Sequence, residues 1–168
     1  MNEYVEGFGC YPTLFSFKYV MEEFITKIFI DYKKHEDEFY VSTDTWRQLS
    51  NDVLLPLTET FDLFGTHLAK MYDQGVLDYE FCDSLVNIAW SDWLAIFDKE
   101  NGSKWPADFY EVYEAFDAGE YYRKDDKSDD PVADHTDPMI RDFLERIKSN
   151  NNVPVSYTHL TLPTIYSV

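Results

Sequence analysis

The sequence predicts an all-α fold, a single-domain bundle of five or six helices with room for one short N-terminal strand or hairpin. Three observations predict it. Apolar residues recur at spacings of three and four, the period of a helix face. Glycines and prolines separate these segments, as they separate helices. Aromatic residues are 18% of a chain that is 45% hydrophobic, so one domain can bury a core of large rings.

The first helix is predicted to begin after Thr13, a suitable N-cap. It should end near Lys33 and Lys34, because positive charge is favourable at the C-terminal end of a helix dipole. Alternation of apolar and polar residues is weak throughout the chain. The one internal segment that could form a strand is 39–41.

The second helical stretch is predicted to follow a cap at Ser42 or Thr43 and to run to Gly75. Pro56 lies inside it and has no backbone N–H, so we expect the helix to bend or restart there. Gly75 is suited to the C-terminal cap because it tolerates a left-handed backbone.

Three further helices are predicted in the remainder of the chain. One runs from about Leu77 to the stop signal at 101–102, and the next begins with Pro106 in its first turn and ends at Gly119. The segment 123–137 is charged, contains a proline and has few apolar residues, so we expect a loop. A final helix should begin with Asp137 as its cap and Pro138 at its first position.

The last fourteen residues, 155–168, contain no Asp, Glu, Lys or Arg, unlike the rest of this chain. Residues 155–164 can be back-translated, codon by codon, into the transposon-end adapter used to prepare short-read DNA libraries. We therefore expect residues 1–154 to form the acidic helical domain and 155–168 to be a translated adapter rather than native sequence. The gene would then come from assembled, metagenomic reads.

Several features predict a cytoplasmic protein. The two cysteines, Cys10 and Cys82, lack the spacing of a metal or redox motif, and we expect reduced thiols rather than a bridge. The first ten residues are acidic where a secretion signal is basic. No apolar run is long enough to cross a membrane. The oligomeric state is left open.

The net charge is the strongest signal in the sequence. Asp and Glu number 32 against 14 Lys and Arg, which gives a net charge of −18. Such a surface repels nucleic acids and anionic membranes and attracts basic protein surfaces. An alternative interpretation is that the charge only keeps the protein in solution.

Motifs for catalysis and for cofactor binding are not found in the sequence. Gly7 and Gly9 are not followed by a basic residue, so they do not form a phosphate-binding loop. The carboxylates of 125–130 lack the glycine and the final Glu of a calcium loop. His67 lies near an apolar stripe, and we expect it to be a partly buried histidine. We predict no catalytic residue, no metal and no cofactor.

The acidity is concentrated in one segment. Between residues 108 and 137 there are eleven acids and three bases. Four of the acids recur every third residue on one predicted helix, and exposed tyrosines are favoured at protein interfaces. The predicted partner-binding residues are Asp108, Glu111, Glu114, Asp117, Glu120, Tyr121, Tyr122, Asp125, Asp126, Asp129 and Asp130.

This segment predicts a non-enzymatic inhibitor that imitates nucleic acid and binds a basic, nucleic-acid-binding protein. A carboxylate every third residue of a helix is spaced by about 4.5 Å, wider than the roughly 3.4 Å per charge of one DNA strand. The carboxylates of the row and of the loop beside it together come closer to the charge spacing of one DNA strand. A phage or mobile-element antagonist of a bacterial defence nuclease, of the anti-CRISPR or anti-restriction type, fits this description. The alternative is an acidic immunity or adaptor protein that neutralises a basic toxin.

Overall fold

The computed structural model describes residues 14–35, 40–97 and 104–151. These residues form six α-helices and no strand, which confirms the predicted helical bundle. A π-helical turn at Val132–Thr136 leads into the last helix. The helices are α1 (Leu14–Lys34), α2 (Thr43–Val53), α3 (Leu57–Asp73), α4 (Tyr79–Phe97), α5 (Ala107–Asp117) and α6 (Asp137–Asn151).

The central element is α3, which packs against each of the other five helices. Phe61 and Phe64 on this helix are fully buried. The ring of Phe61 lies 4.9 Å from that of Trp46 on α2, and 5.2 Å from that of Trp93 on α4. It also lies 5.2 Å from the ring of Phe109 on α5. Large aromatic side chains therefore join four helices into one core, as the composition predicted.

Two local signals act as the sequence predicted. The helical stretch stops at Val53 and restarts at Leu57, on either side of Pro56. Leu54 closes α2 in a left-handed conformation with a φ of 53°. Gly75 follows α3 with a φ of 69°, a conformation that glycine adopts without steric cost.

The start of the last helix differs from the prediction. Helical residues begin at Pro131, so Asp137 is not an N-cap and Pro138 is not in the first turn. The Asp130 carboxylate caps this start by accepting a hydrogen bond from the Ala133 N–H at 3.1 Å. Pro138 has no N–H to donate to the preceding turn, and the wider π-helical turn just before it accommodates that gap.

Some predicted features lie outside the described residues. They are the cap at Thr13, the N-terminal strand or hairpin, Cys10, Phe39 and the segment 155–168. Tyr40 and Val41, which the structure does describe, are not in a strand. Within the described ranges, every helix is either too short or too polar to cross a bilayer.

Candidate partner-binding surface

The row of acids on α5 is divided into two halves by a residue of α6. Arg146 Nη2 lies 2.9 Å from Asp108 Oδ1 and 2.6 Å from Glu111 Oε2. These two carboxylates are therefore compensated within the protein. Glu114 and Asp117, one and two turns further along α5, form no ion pair among the described residues. Of the four predicted carboxylates on α5, two are therefore available to a partner, Glu114 and Asp117.

A carboxylate of α4 joins the available half of the row. The side-chain nitrogen of Asn87 donates to Asp83 Oδ1 and to Glu120 Oε1, each at 3.2 Å. Burial raises the pKa of Asp83 to about 7, and the negative charge of Glu120, the hydrogen bond between the two carboxyls and the charge of Asp117 add to this rise. We name Asp83, Glu114, Asp117 and Glu120 the acidic face.

The acidic face has no compensating base on the helices that carry it. The sequences of α4 and α5 contain neither Lys nor Arg. The groove of about 600 Å³ between α1 and α2 differs, because its lining includes Lys27 beside Asp31. The acidic face is therefore less compensated by its own helices than this groove is.

The acidic loop, residues 120–130, follows α5, and some of its carboxylates organise its own backbone. Asp129 Oδ2 accepts a hydrogen bond from the Arg123 N–H at 2.6 Å. Asp126 Oδ1 accepts one from the Ser128 N–H at 3.1 Å. With the Asp130 cap described above, three of the predicted contact residues also determine the loop conformation.

The remaining predicted residues of the acidic loop are exposed. Tyr121 and Tyr122 are 58% and 53% exposed, and the Lys127 ammonium lies 5.4 Å from the centre of the Tyr122 ring. The guanidinium of Arg123 donates to the backbone carbonyls of Ala118 and Tyr121. Asp125 is exposed, and its side chain makes no hydrogen bond or ion pair to the rest of the described chain. It is therefore the loop carboxylate best placed for an outside partner.

Aromatic rings border the acidic face. The ring of Trp90 on α4 stacks on that of Tyr113 on α5, with the centroids 5.2 Å apart and the planes inclined by 25°. The Trp90 ring also lies 5.3 Å from that of Trp105 and 5.1 Å from that of Tyr110. We name these four residues the aromatic cluster. Trp105 is 44% exposed, so the cluster reaches the surface.

Four residues of this surface were not among those predicted from the sequence: Asp83, Asn87, Trp90 and Trp105. Asp83, Asn87 and Trp90 are spaced by four and three residues on α4, which places them on one side of that helix. This pattern was a usable signal, but nothing local shows that the same side of α4 meets the end of α5. The contact depends on the packing of the two helices.

Burial favours the neutral form of two other titratable groups in the core, His67 and Cys82. Burial lowers the pKa of His67 to about 4, with a smaller effect from the charge of Lys70. Burial also raises the pKa of the Cys82 thiol. No group of three or more His, Cys, Asp or Glu side chains comes together as metal ligands in the ranges that the structure describes.

Comparisons with known proteins found no relative of this chain. No protein family matches the chain, and no curated protein and no solved structure is significantly similar to it.

Proposed function

We propose that this protein is a non-enzymatic acidic inhibitor that binds a basic, nucleic-acid-binding protein and occupies its nucleic-acid site. The observation that supports the proposal is the acidic face. Asp83 of α4, Asp117 of α5 and Glu120 of the acidic loop interact electrostatically there, Glu114 lies one turn before Asp117, and the two helices supply no base. A cationic groove that evolved to bind phosphates carries the opposite charge.

Repulsion within the acidic face favours such a partner. Asp83 and Glu120 accept hydrogen bonds from one amide nitrogen, and the charge of Glu120 raises the cost of ionising Asp83. A cation placed between them would relieve this repulsion and favour full ionisation. Part of the binding free energy would thus come from relief of electrostatic repulsion that is already present in the free protein.

The concrete form of the proposal is a phage or mobile-element antagonist of a bacterial defence nuclease. The size of the chain and its net charge of −18 support this form. Steering by opposite charges should make association fast and strongly dependent on salt.

The test is a competition assay against a panel of basic defence nucleases, scored by loading of DNA or guide RNA. The test variant is Asp117→Asn with Asp125→Asn, which removes one charge from the acidic face and one from the acidic loop without removing a described hydrogen bond. The matched control is Glu23→Gln with Asp31→Asn, two exposed acids on α1, which packs on α2 and α3. Both variants change the net charge equally.

The proposal predicts that wild type and control block loading, that the test variant is several-fold weaker, and that the block fades as salt rises. Equal potency of test variant and control would reject the acidic face as the contact. Failure to block any nuclease, together with neutralisation of a basic toxin, would favour the immunity-protein alternative.

A further inference from the structure

We propose that the acidic face selects arginine rather than lysine side chains of its partner, through the neighbouring aromatic cluster. This inference rests on the proposed function and narrows the chemistry of the partner surface. The occupant is a segment of a basic protein whose guanidinium groups lie against the rings of Trp105 and Tyr110 while they pair with the carboxylates beside them.

The protein already contains this arrangement once. Arg146 pairs with Asp108 and Glu111 on the first half of α5, and its guanidinium carbon lies 5.2 Å from the centre of the Phe143 ring. Two carboxylates one helical turn apart and one aromatic ring therefore hold a guanidinium. This site is filled from within the chain.

The second half of α5 has two carboxylates at the same spacing, but no arginine of the described chain pairs with them. Glu114 and Asp117 are again three residues apart on the same helix. Tyr110 lies four residues before Glu114 on α5, so its ring and this carboxylate are on the same side of the helix, and the charge of Glu114 helps to raise the pKa of Tyr110. The negative charge of Asp117 acts on Tyr113 in the same direction, after the larger effect of burial.

The difference between arginine and lysine follows from the shapes of the two cations. A guanidinium is planar and weakly hydrated, stacks on aromatic faces and binds carboxylates through two parallel N–H groups. An ammonium is compact and strongly hydrated, so it gains from the carboxylates but less from the rings. Carboxylates alone would favour both cations similarly. The exposed ring of Trp105 and the half-buried ring of Tyr110 favour arginine.

The test uses the full chain and two capped peptides of equal length, oligo-arginine and oligo-lysine, titrated calorimetrically at low salt. Oligo-arginine is expected to bind about three- to tenfold more tightly than oligo-lysine. The double variant Trp105→Leu/Tyr110→Leu should lose most of this preference and keep its affinity for oligo-lysine, which also shows that the variant is folded. The control Tyr19→Leu removes a ring that is 66% exposed on α1 and should keep the preference.

The outcomes separate this inference from the function on which it rests. Equal affinity for the two peptides, or a preference that survives in Trp105→Leu/Tyr110→Leu, overturns the selection of arginine and leaves the proposed inhibitor intact. If neither peptide binds at low salt, the acidic face does not attract basic segments and the proposed function fails.

Discussion

Arg146 on α6 lies 2.6 Å from Glu111 on α5, and this pair divides a regular row of acids into a compensated half and an available half. In the sequence, Glu111 and Glu114 are equivalent members of one row. In the folded protein, one of them neutralises an arginine and the other belongs to the acidic face. The two residues therefore offer a direct test of which charges a partner meets.

The first prediction compares Glu114→Gln with Glu111→Gln. Glu114→Gln should weaken binding of a basic partner several-fold at low salt, because it removes an available charge. Glu111→Gln should leave binding nearly unchanged and lower the free energy of unfolding by at most about 1 kcal/mol, since the ion pair that it breaks is partly exposed. Calorimetric titration and urea denaturation measure the two effects. Equal losses of binding in both variants would contradict the division of the row.

The second prediction concerns pH and Asp83. Its pKa is raised in the folded protein from the ordinary value of 3.8 to about 7, first by burial and then by Glu120 and Asp117. Between these pH values the folded state binds a proton that the unfolded state releases. The contribution of Asp83 to stability is therefore present at low pH and is lost as the pH rises from about 4 to about 7.

The matched variant for this prediction is Asp83→Asn, which is neutral at every pH. At pH 3 the two proteins should differ least in free energy of unfolding, because Asp83 is then largely protonated in both the folded and the unfolded state. At pH 8 the variant should be more stable by on the order of 1–2 kcal/mol, a range reduced for screening by water around the half-buried pair. Urea denaturation across this pH range measures the difference. Parallel pH profiles for the two proteins would show that Asp83 ionises normally.

The helices could be predicted from sequence because their signals are local. The restart at Pro56 and the cap at Gly75 depend on backbone chemistry within a few residues. The helical residues that precede α6 were missed because Pro138 with Asp137 is a typical helix start, and only the π-helical turn at Val132–Thr136 shows that the helix passes through it.

The acidic face could be predicted only in part. The row on α5 and the acidic loop are visible in the sequence, because their residues are close along the chain. The compensation of Asp108 and Glu111 by Arg146 joins residues 38 and 35 positions apart. The contact between Asn87 and Glu120 spans 33 positions. Such pairs depend on how the helices pack, and a single sequence does not specify that.

The third prediction concerns the buried polar pair of Trp46 and Asp92. Trp46 Nε1 donates a hydrogen bond to Asp92 Oδ2 at 2.8 Å, and it links α2 to α4. Asp92→Ala would leave the indole N–H buried without an acceptor, so we expect it to lower the free energy of unfolding by about 1–3 kcal/mol. Asp92→Asn keeps an acceptor oxygen and should cost less at neutral pH.

Urea denaturation of the two Asp92 variants measures this difference. The pKa of Asp92 is raised by burial, and the hydrogen bond from Trp46 partly offsets that rise. Asparagine is neutral and keeps an acceptor oxygen, so Asp92→Asn should lower the free energy of unfolding less than Asp92→Ala does. If Asp92→Ala and Asp92→Asn were equally stable, the hydrogen bond would not contribute to the packing of α2 against α4.

The fourth prediction concerns the contact between α3 and α5 at Gly65. A Cβ atom on Gly65 would lie 2.9 Å from the Cα of Phe109, so the backbone of α5 would have to move away. We expect Gly65→Ala to lower the free energy of unfolding by about 1–3 kcal/mol, even though alanine favours helices. The control is Gly75→Asn, because asparagine tolerates a φ of 69° and a Cβ there meets nothing within 4 Å. Thermal denaturation compares the two variants. Since α5 carries the acidic face, Gly65→Ala should also weaken binding of a basic partner, and Gly75→Asn should not.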